Sequence, residues 1–546
     1  MHAMHAANEA PAPRPKTERQ ASIARLESGY LEEHFSPRAL LTEVRNIWGE
    51  VRSRGGASGS GSGGGGGGGG RRNGAAEGNK TARHRELLTE ARRAMADEYL
   101  VLSESDQEEW EFQEHCRDGK TPYYASLNAA LAHDSTALLR AEFLQQLAAE
   151  GKPLGHRAQL PSEAFYEGPI WGEDDQGVLI VALSYMWATA DHPDPNGEQL
   201  RDVAEFLRWM QGTPHNGHSG KQIAVFWDWA SLYQDKPEGS RSEEQTLSFQ
   251  EGLRNCNLWY CHPLTLTLMN RKRPEGRERG YDESGWAIFE RGVSEFVKDK
   301  KAVLCLHAVL AALADEGVEE WKKKDFGQMA QVCGELAKSA PPLSPVAMSD
   351  KLRAAFFTNG ADVEFVEEKY EATFRAVLTT VKKLSFVKMD WVPPEAWVAF
   401  CEQVVPQCAE LEELWLSNNQ HLAMDIAALV AALPPTLKEL RLHGTGCFGD
   451  CARADWGALR ALEKVDLKGT NVSGSIENFV GRLPATVKHL NIGKTGVSGD
   501  GAAADWARLS DLQFLDLMDS MVAGSKEDLN ASGCKATRIF VNMIRL

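Results

Sequence analysis

Residues 376–546 carry a repeat with a period of 25 or 26 residues, and this feature constrains the fold more strongly than any other. Segments of the form L-x-x-L-x-L, with apolar replacements, begin at Leu411, Leu437, Leu462, Val487 and Leu512. Such a period is typical of leucine-rich repeats, because each unit forms one short strand that buries its leucines only against the next unit. The pattern predicts a leucine-rich-repeat solenoid, with the segment at Val381 as an earlier, irregular copy.

A second period of 50 residues is superimposed on the first. The stretch that begins at Thr445 nearly matches the stretch at Thr495, which predicts that two kinds of repeat alternate. Residues 444–449, GTGCFG, also match the glycine fingerprint of dinucleotide-binding folds. Their counterpart at 494–499, KTGVSG, lacks the first glycine. We therefore interpret both segments as repeat turns rather than as phosphate sites.

The first part of the chain shows little of the apolar spacing from which a hydrophobic core forms. Residues 1–80 are predicted to be a disordered tail with short helices, because they include the glycine-rich stretch 54–72. Such a stretch has high conformational freedom and few side chains to bury. Residues 81–165 place apolar side chains at helical spacing and are predicted to be a helical region.

Residues 166–315 alternate apolar runs with amphipathic segments. The runs beginning near 177, 222 and 262 are rich in Val, Leu and Ile, as is typical of strands buried on both faces. A fourth run, at 301–310, is either a strand or a helix by its pattern. This alternation predicts an open parallel sheet of flavodoxin-like type covered by helices on both faces. Residues 316–375 are predicted to be a helical connector to the repeats.

The carboxyl ends of such strands should bring three polar segments together, at 184–197, 228–234 and 281–290. Glu290 is the candidate catalytic carboxylate, since a buried carboxylate can stabilise an oxocarbenium-like sugar or attack it. Candidate substrate-binding residues are Ser184, Tyr185, Trp187, Asp228, Tyr281, Ser284 and Trp286. Trp286 lies four residues before Glu290 and should share its helix face. The plainer alternatives are a solvated Glu290, tryptophans that belong to the core, and an aspartate at 228 that caps a turn.

These segments resemble the Toll/interleukin-1 receptor (TIR) domain. The resemblance rests on the Ser184–Tyr185 pair, on Asp228, and on a box of Tyr281, Ser284, Trp286 and Glu290, and it covers roughly residues 175–310. It implies that the domain self-associates. It also implies, for those TIR domains that cleave NAD at the nicotinamide–ribose bond, that Glu290 is the catalytic residue. No bound cofactor is expected, and NAD enters as a substrate.

The sequence departs from the TIR pattern at three points. Ala287 stands where the box has a cysteine, Gly285 separates Ser284 from Trp286, and the spacing after Asp228 is long. The sequence favours a signalling scaffold that binds a protein partner through the repeats and itself through the TIR-like domain. The alternative is an enzyme that hydrolyses NAD. A third candidate is a nucleoside-processing enzyme with the same sheet and a different leaving group.

Composition excludes several classes of protein. The net charge of −17 over 546 residues argues against a general nucleic-acid binder. Cys256, Cys261 and His262 do not complete a four-ligand metal set, so no metal is expected. The sequence shows no secretory signal, no transmembrane segment and no P-loop. We expect a cytoplasmic protein with reduced thiols and without an ATP-driven switch.

Overall fold

The computed structural model describes residues 127, 130–131, 135–168, 178–212, 222–298, 302–317 and 337–541. The predicted tail at 1–80 and most of the predicted helical region at 81–165 lie outside these residues. Part of the predicted connector, at 318–336, lies outside them as well.

The apolar run Leu179–Ser184 forms the central strand β2, and all six of its residues are buried. It lies between two parallel neighbours, β3 (Ile223–Phe226) and β4 (Thr265–Met269), and β4 pairs in turn with β5 (Val303–Cys305). A short strand, β1 (Leu139–Arg140), pairs antiparallel with β3 at the edge. The order is β1-β3-β2-β4-β5, so the prediction of a parallel sheet is confirmed except at its antiparallel edge.

Helices cover both faces of this sheet. The helices are α1 (Ala141–Ala149), α2 (Glu198–Gly212), α3 (Asp228–Ser231), α4 (Glu243–Cys261), α5 (Gly285–Ser294) and α6 (Leu306–Glu316). Side chains of α1, α2 and α6 pack on one face of the sheet, whereas α4 and α5 pack on the other. The run at 301–310, ambiguous by pattern, contains both a strand and the start of a helix.

Two further helices, α7 (Pro345–Ala354) and α8 (Asp362–Leu378), pack against α5. The Tyr370 ring lies 5.2 Å from the Phe296 ring, just after α5. This contact belongs to a continuous apolar core that extends from α5 through α8 into the repeats. The catalytic candidate on α5 is therefore carried by a helix that is packed on both sides.

Each repeat contributes one short parallel strand, as predicted. The strands are β6 (Lys383–Ser385), β7 (Glu413–Trp415), β8 (Glu439–Arg441), β10 (Lys464–Asp466), β12 (His489–Asn491), β14 (Phe514–Asp516) and β16 (Arg538–Phe540). They form one seven-stranded sheet in chain order. The middle residue of six of these strands is fully buried, and its two flanking residues form the opposite face.

The other side of the repeats carries a second parallel sheet of four strands. They are β9 (Phe448–Asp450), β11 (Asn471–Ser475), β13 (Gly496–Asp500) and β15 (Met521–Ala523). The GTGCFG segment turns into β9 in this sheet, and Gly444 and Gly449 have positive φ angles of 69° and 100°. Its glycines are therefore used by the repeat backbone itself.

The 50-residue alternation is confirmed. After α9 (Pro394–Ala399), helices recur at α10 (Ile426–Ala432), α11 (Ile476–Arg482) and α12 (Lys526–Ala531). The intervening repeats instead hold 3-10 turns at Trp456–Ala458 and Trp506–Arg508. Both tryptophans are fully buried, and their indole nitrogens donate to the carbonyls of Cys451 and Gly501, five residues earlier.

A row of hydroxyl groups holds the turns that follow the strands. Thr445, Thr470, Thr495 and Ser520 each donate to the carbonyl three residues earlier, at 2.6–2.7 Å. In the preceding repeat the buried amide of Asn419 bonds to the backbone of residues 386, 389 and 416. These bonds pair backbone groups in a position that water does not reach.

We predict that Thr470→Val lowers the free energy of unfolding by about 1 kcal/mol, because it removes one buried hydrogen bond at nearly constant shape. Thr358→Val is the control, since Thr358 is exposed. Urea unfolding followed by tryptophan fluorescence measures both variants. Equal midpoints for the two variants would contradict the assigned role of the hydroxyl row.

Every helix among the described segments is too short or too polar to cross a bilayer.

Candidate functional site

The candidate site lies where the strand order reverses, at the carboxyl end of β2. Ser184 is the last residue of β2, Asp228 opens α3 just after β3, and Glu290 lies in the middle of α5. In sheets of this kind the loops at a reversal diverge and leave room for a ligand. The topology therefore brings these three polar residues to one edge of the sheet, as the sequence predicts.

Glu290 accepts a hydrogen bond from a buried hydroxyl chain. The Ser184 Oγ lies 2.6 Å from Glu290 Oε2 and 2.6 Å from the Tyr281 hydroxyl. Ser184 has a single proton, which it donates to the carboxylate when Glu290 is ionised. Tyr281 then donates to Ser184, so the chain runs from Tyr281 through Ser184 to Glu290.

Burial dominates the electrostatics of Glu290. Desolvation raises the pKa of its carboxyl to about 8 against the lowering effect of the Ser184 hydrogen bond. The negative charge of Asp228 raises this pKa further, while the Tyr260 hydroxyl lowers it. The residue keeps some exposed surface. A buried carboxyl with so strongly raised a pKa is typical of functional sites.

Asp228 is the second acid of the site. Its carboxylate accepts hydrogen bonds from the Tyr185 hydroxyl at 2.6 Å, from the Trp229 backbone at 2.6 Å and from the Trp187 indole at 3.3 Å. Burial raises the pKa of Asp228, and these three donors act against that rise. Asp228 thus combines a structural role at the start of α3 with a charge that Glu290 experiences.

Neither nearby arginine neutralises Glu290. Arg291 pairs with Asp282 and Glu295, and Arg254 pairs with Glu251. The sequence left open whether such a clamp would make Glu290 a structural residue. The described residues provide none, so the Glu290 carboxyl remains without a compensating cation.

The side chain of Trp286, a predicted substrate-binding residue, packs against α8. Its indole nitrogen donates to Asp362 Oδ2 at 3.0 Å, and its ring packs near Phe289 and Phe365. Helix α8 therefore captures this side chain, which the sequence pattern of α5 alone did not indicate. Ser284 ends the turn before α5 and makes no side-chain capping bond. Its contact with a substrate stays a prediction.

Most aromatic side chains around Asp228 already contact other parts of the protein. Trp229 is buried and donates to the Leu154 carbonyl at 2.9 Å, while Arg157 covers the Tyr233 ring at 4.1 Å. Trp187 lies edge-on to Trp229 and remains half-buried. Ser184, Tyr185 and Tyr281 are buried and bond to the site residues, and direct substrate contact by them stays a prediction.

Sequence reasoning missed two residues of this region. The Tyr260 hydroxyl reaches Glu290 from α4, and the Leu183 carbonyl, 3.1 Å away, competes for its single proton. Gln199 is buried and donates to the carbonyls of Met186 and Pro193, which holds the loop after β2. Both side chains bond to residues outside their own helical turns. The local sequence pattern therefore does not predict these contacts.

No group of three or more His, Cys, Asp or Glu side chains among the described residues could hold a metal ion. The eight cysteines within these residues are buried free thiols. Burial raises the pKa of the Cys256 thiol to about 11 and that of Cys261 to about 12, which makes both poor metal ligands and nucleophiles.

The strand face of the repeats is the second candidate surface. On it, the Trp415 ring lies between the Lys383 ammonium at 3.3 Å and the Arg441 guanidinium at 3.9 Å. Further along, the His489 and Phe514 rings stack at 4.0 Å with an interplanar angle of 5°. Exposed apolar side chains continue this part of the repeats at Met518 and Phe540, whereas the exposed Met521 lies in β15 of the four-stranded sheet.

Searches of protein families and of curated proteins found no match for this chain. Leucine-rich-repeat proteins are among the solved structures that are similar to it. The ectodomain of the receptor kinase SOBIR1 from Arabidopsis thaliana is 23% identical over 22% of this chain and 65% of its own, with a TM-score of 0.19. Internalin C2 from Listeria monocytogenes is 15% identical over 31% of this chain and 83% of its own, with a TM-score of 0.20.

The Arabidopsis receptor kinase HAESA, solved with the peptide hormone IDA and the co-receptor SERK1, is 19% identical. The match covers 30% of this chain and 28% of that one, with a TM-score of 0.19. Scores of this size carry no inference about function. The resemblance of residues 175–310 to TIR domains stays a prediction.

We predict that Glu290→Gln raises the free energy of unfolding relative to the parent, and that this gain is larger at high pH than at low pH. The folded-state pKa of Glu290, about 8, lies above its ordinary value of 4.5, so the folded state retains the proton in this window. The parent therefore loses stability as pH rises from about 4.5 to 8, by up to about 1.4 kcal/mol per pH unit. Glutamine has no proton to lose. Thermal unfolding of both proteins across this range measures the difference, and a constant difference would contradict the raised pKa.

We predict that Trp286→Phe lowers the free energy of unfolding by about 1–3 kcal/mol, since it removes a hydrogen bond to a charged carboxylate. Trp415→Phe is the matched control, because the Trp415 ring nitrogen has no hydrogen-bond partner in the described part of the chain. Chemical unfolding midpoints compare the two. A larger loss for the control would show that the Trp286–Asp362 bond contributes little.

Proposed function

We propose that the α/β domain hydrolyses the bond between nicotinamide and ribose in NAD, and that the repeats bind a protein partner that controls this activity. The observation that carries the proposal is Glu290. Its carboxyl is fixed by the Ser184 hydroxyl, faces no cation among the described residues, and lies beside a strand-order reversal. The resemblance to TIR domains supplies the substrate.

The reaction needs a negative charge beside the ribose. The C1′–N bond breaks, and its electron pair goes to the nicotinamide nitrogen, which becomes neutral. The ribosyl group is left as an oxocarbenium-like cation, which an adjacent carboxylate stabilises. Water then adds to C1′ and loses a proton, so the products are nicotinamide, ADP-ribose and a proton. Glu290 is the group that we assign to stabilise the cation and to accept that proton.

The burial of Glu290 makes its charge depend on the ligand. In the free protein the carboxyl is mostly protonated at pH 7, since its pKa is about 8. The nicotinamide ring of NAD carries a positive charge, which favours the ionised carboxylate when the ring lies nearby. A substrate cation would therefore generate the catalytic charge on binding, and a neutral ligand would not.

We predict that the purified full-length protein releases nicotinamide from NAD, and that Glu290→Gln lowers the rate roughly a hundredfold or more. Glu244→Gln is the control, because Glu244 is exposed in the first turn of α4. High-performance liquid chromatography of the products measures both. Equal rates for the parent and Glu290→Gln would show that Glu290 takes no part in catalysis.

The pH dependence gives a separate test. The second-order rate constant kcat/KM reports ionisations of the free enzyme, so it should rise with pH through about 8. The rate constant kcat reports the bound state and should reach its plateau at lower pH, because the cationic ring favours ionised Glu290. If kcat and kcat/KM rise over the same pH range, the proposal that substrate binding favours ionised Glu290 is contradicted.

Self-association of the α/β domain is part of the proposal, as the TIR resemblance implies. A specific activity that rises with protein concentration would support it. The alternative is a scaffold without catalysis, in which the same helices only bind other proteins. Absence of nicotinamide release at every concentration, from a protein that self-associates, would favour the scaffold.

The repeats are proposed to recognise a protein in the cytoplasm. Trp415, held between two cations, and the aromatic row at His489 and Phe514 support this role. Contacts also connect the repeats with α5. The Trp391 indole donates to the Ser339 carbonyl at 2.7 Å, and neighbouring backbone at residue 338 accepts from Arg291 on α5 at 2.8 Å. A partner that shifts the first repeat would thereby act on the helix of Glu290.

A further inference from the structure

The loop between β4 and α5 concentrates positive charge in a chain whose net charge is −17. Residues 271–280 contain five cationic side chains and only two acidic ones. The loop leaves the carboxyl end of β4, the strand beside β2 at the order reversal. It therefore carries its cations to the edge of the sheet that holds Ser184 and Glu290.

Two of these cations are already compensated. Arg271 forms an ion pair with Asp282. The Lys272 ammonium lies 3.7 Å from the carboxylates of both Glu198 and Asp202. Their charges hold the loop against α2 and the turn before α5, so these side chains have a structural explanation.

Arg277 is different. Its Nε donates to the backbone carbonyls of Trp187 at 3.1 Å and Ala188 at 3.0 Å. The side chain is half-buried, and no described carboxylate forms an ion pair with it. Carbonyl oxygens are neutral, so the positive charge remains. Within the described residues the two terminal nitrogens of this guanidinium have no hydrogen-bond partner.

Arg277 is connected to the candidate site through Trp187. Trp187, whose carbonyl holds the arginine, donates through its indole to Asp228 at 3.3 Å. Arg273 lies on the same loop, bonds to the Glu278 carbonyl at 3.2 Å and likewise pairs with no described carboxylate. An anchored guanidinium with a free pair of terminal nitrogens matches the geometry of phosphate oxygens.

We propose that Arg277, assisted by Arg273, binds the diphosphate of the dinucleotide substrate. This inference rests on the proposed function, because it assigns the part of the same substrate that lies away from the ribose bond. A dinucleotide diphosphate is anionic, and a strongly acidic protein repels it unless local cations attract it. Tethered by two carbonyls, Arg277 would fix the diphosphate at a set distance from Glu290.

The test compares two substrates that share the bond to be cleaved. NAD contains the diphosphate, whereas nicotinamide riboside contains no phosphate. Arg277→Gln should lower kcat/KM for NAD roughly ten- to a hundredfold, as expected for a lost charge-assisted contact, and should leave kcat/KM for the riboside nearly unchanged. Arg254→Gln, an exposed arginine of α4, is the control. Equal losses for both substrates would show that Arg277 acts only on the structure of the loop.

Binding of ADP tests the same residue without turnover. Calorimetry should give equal affinities for the parent and for Arg254→Gln, and an affinity at least about tenfold weaker for Arg277→Gln. Adenosine, which lacks the phosphates, should bind all three proteins alike. If the parent binds ADP in this way but cleaves neither substrate, the diphosphate subsite is supported and the proposed hydrolase activity is contradicted. ADP binding that is absent from the parent, or unaffected by Arg277→Gln, would overturn the subsite whatever the turnover.

Discussion

The buried hydrogen bond between Ser184 and Glu290 is the interaction on which this account depends. It joins the end of the central strand to the middle of α5 and fixes a carboxyl in a place where it is poorly solvated. Such a group raises its pKa unless a cation compensates it. The described surroundings supply the hydroxyl groups of Ser184 and Tyr260 instead, together with a second acid, Asp228. A purely structural site would be more stable with a neutral or paired residue at this position.

The geometry of Glu290 requires that α5 be held firmly, and the helices beyond it do this. A Cβ atom at Gly285 would lie 2.0 Å from the Phe357 ring, so only glycine lets the segment before α8 approach the start of α5. Gly292 lies about two helical turns further along the same helix. A Cβ atom there would lie 2.5 Å from Met348 of α7. The core then continues into the first repeats. Helix α5 is thus shared by the sheet and the repeat-bearing part of the chain.

The sequence was most informative where it repeats. The leucine spacing predicted one parallel strand per unit, and the longer period predicted the alternation of helices with buried Trp456 and Trp506. Convergence of Ser184, Asp228 and Glu290 was also predictable, since parallel strands end at one edge of a sheet. The direction of the Trp286 side chain was not predictable, because it depends on Asp362, which lies on a helix 76 residues further along the chain. The two-residue strand β1 is too short to have a period, and it was absorbed into a predicted helix.

We infer that the Glu290 carboxyl is largely neutral in the free protein at pH 7 and ionises when a cationic ring binds. Carbon-13 NMR of protein labelled in its glutamate carboxyl groups, with Glu290→Gln as the subtraction control, observes this group directly. We predict a titration near pH 8 that moves to lower pH in the presence of nicotinamide riboside. A titration near the ordinary value of 4.5, unchanged by that ligand, would contradict the account.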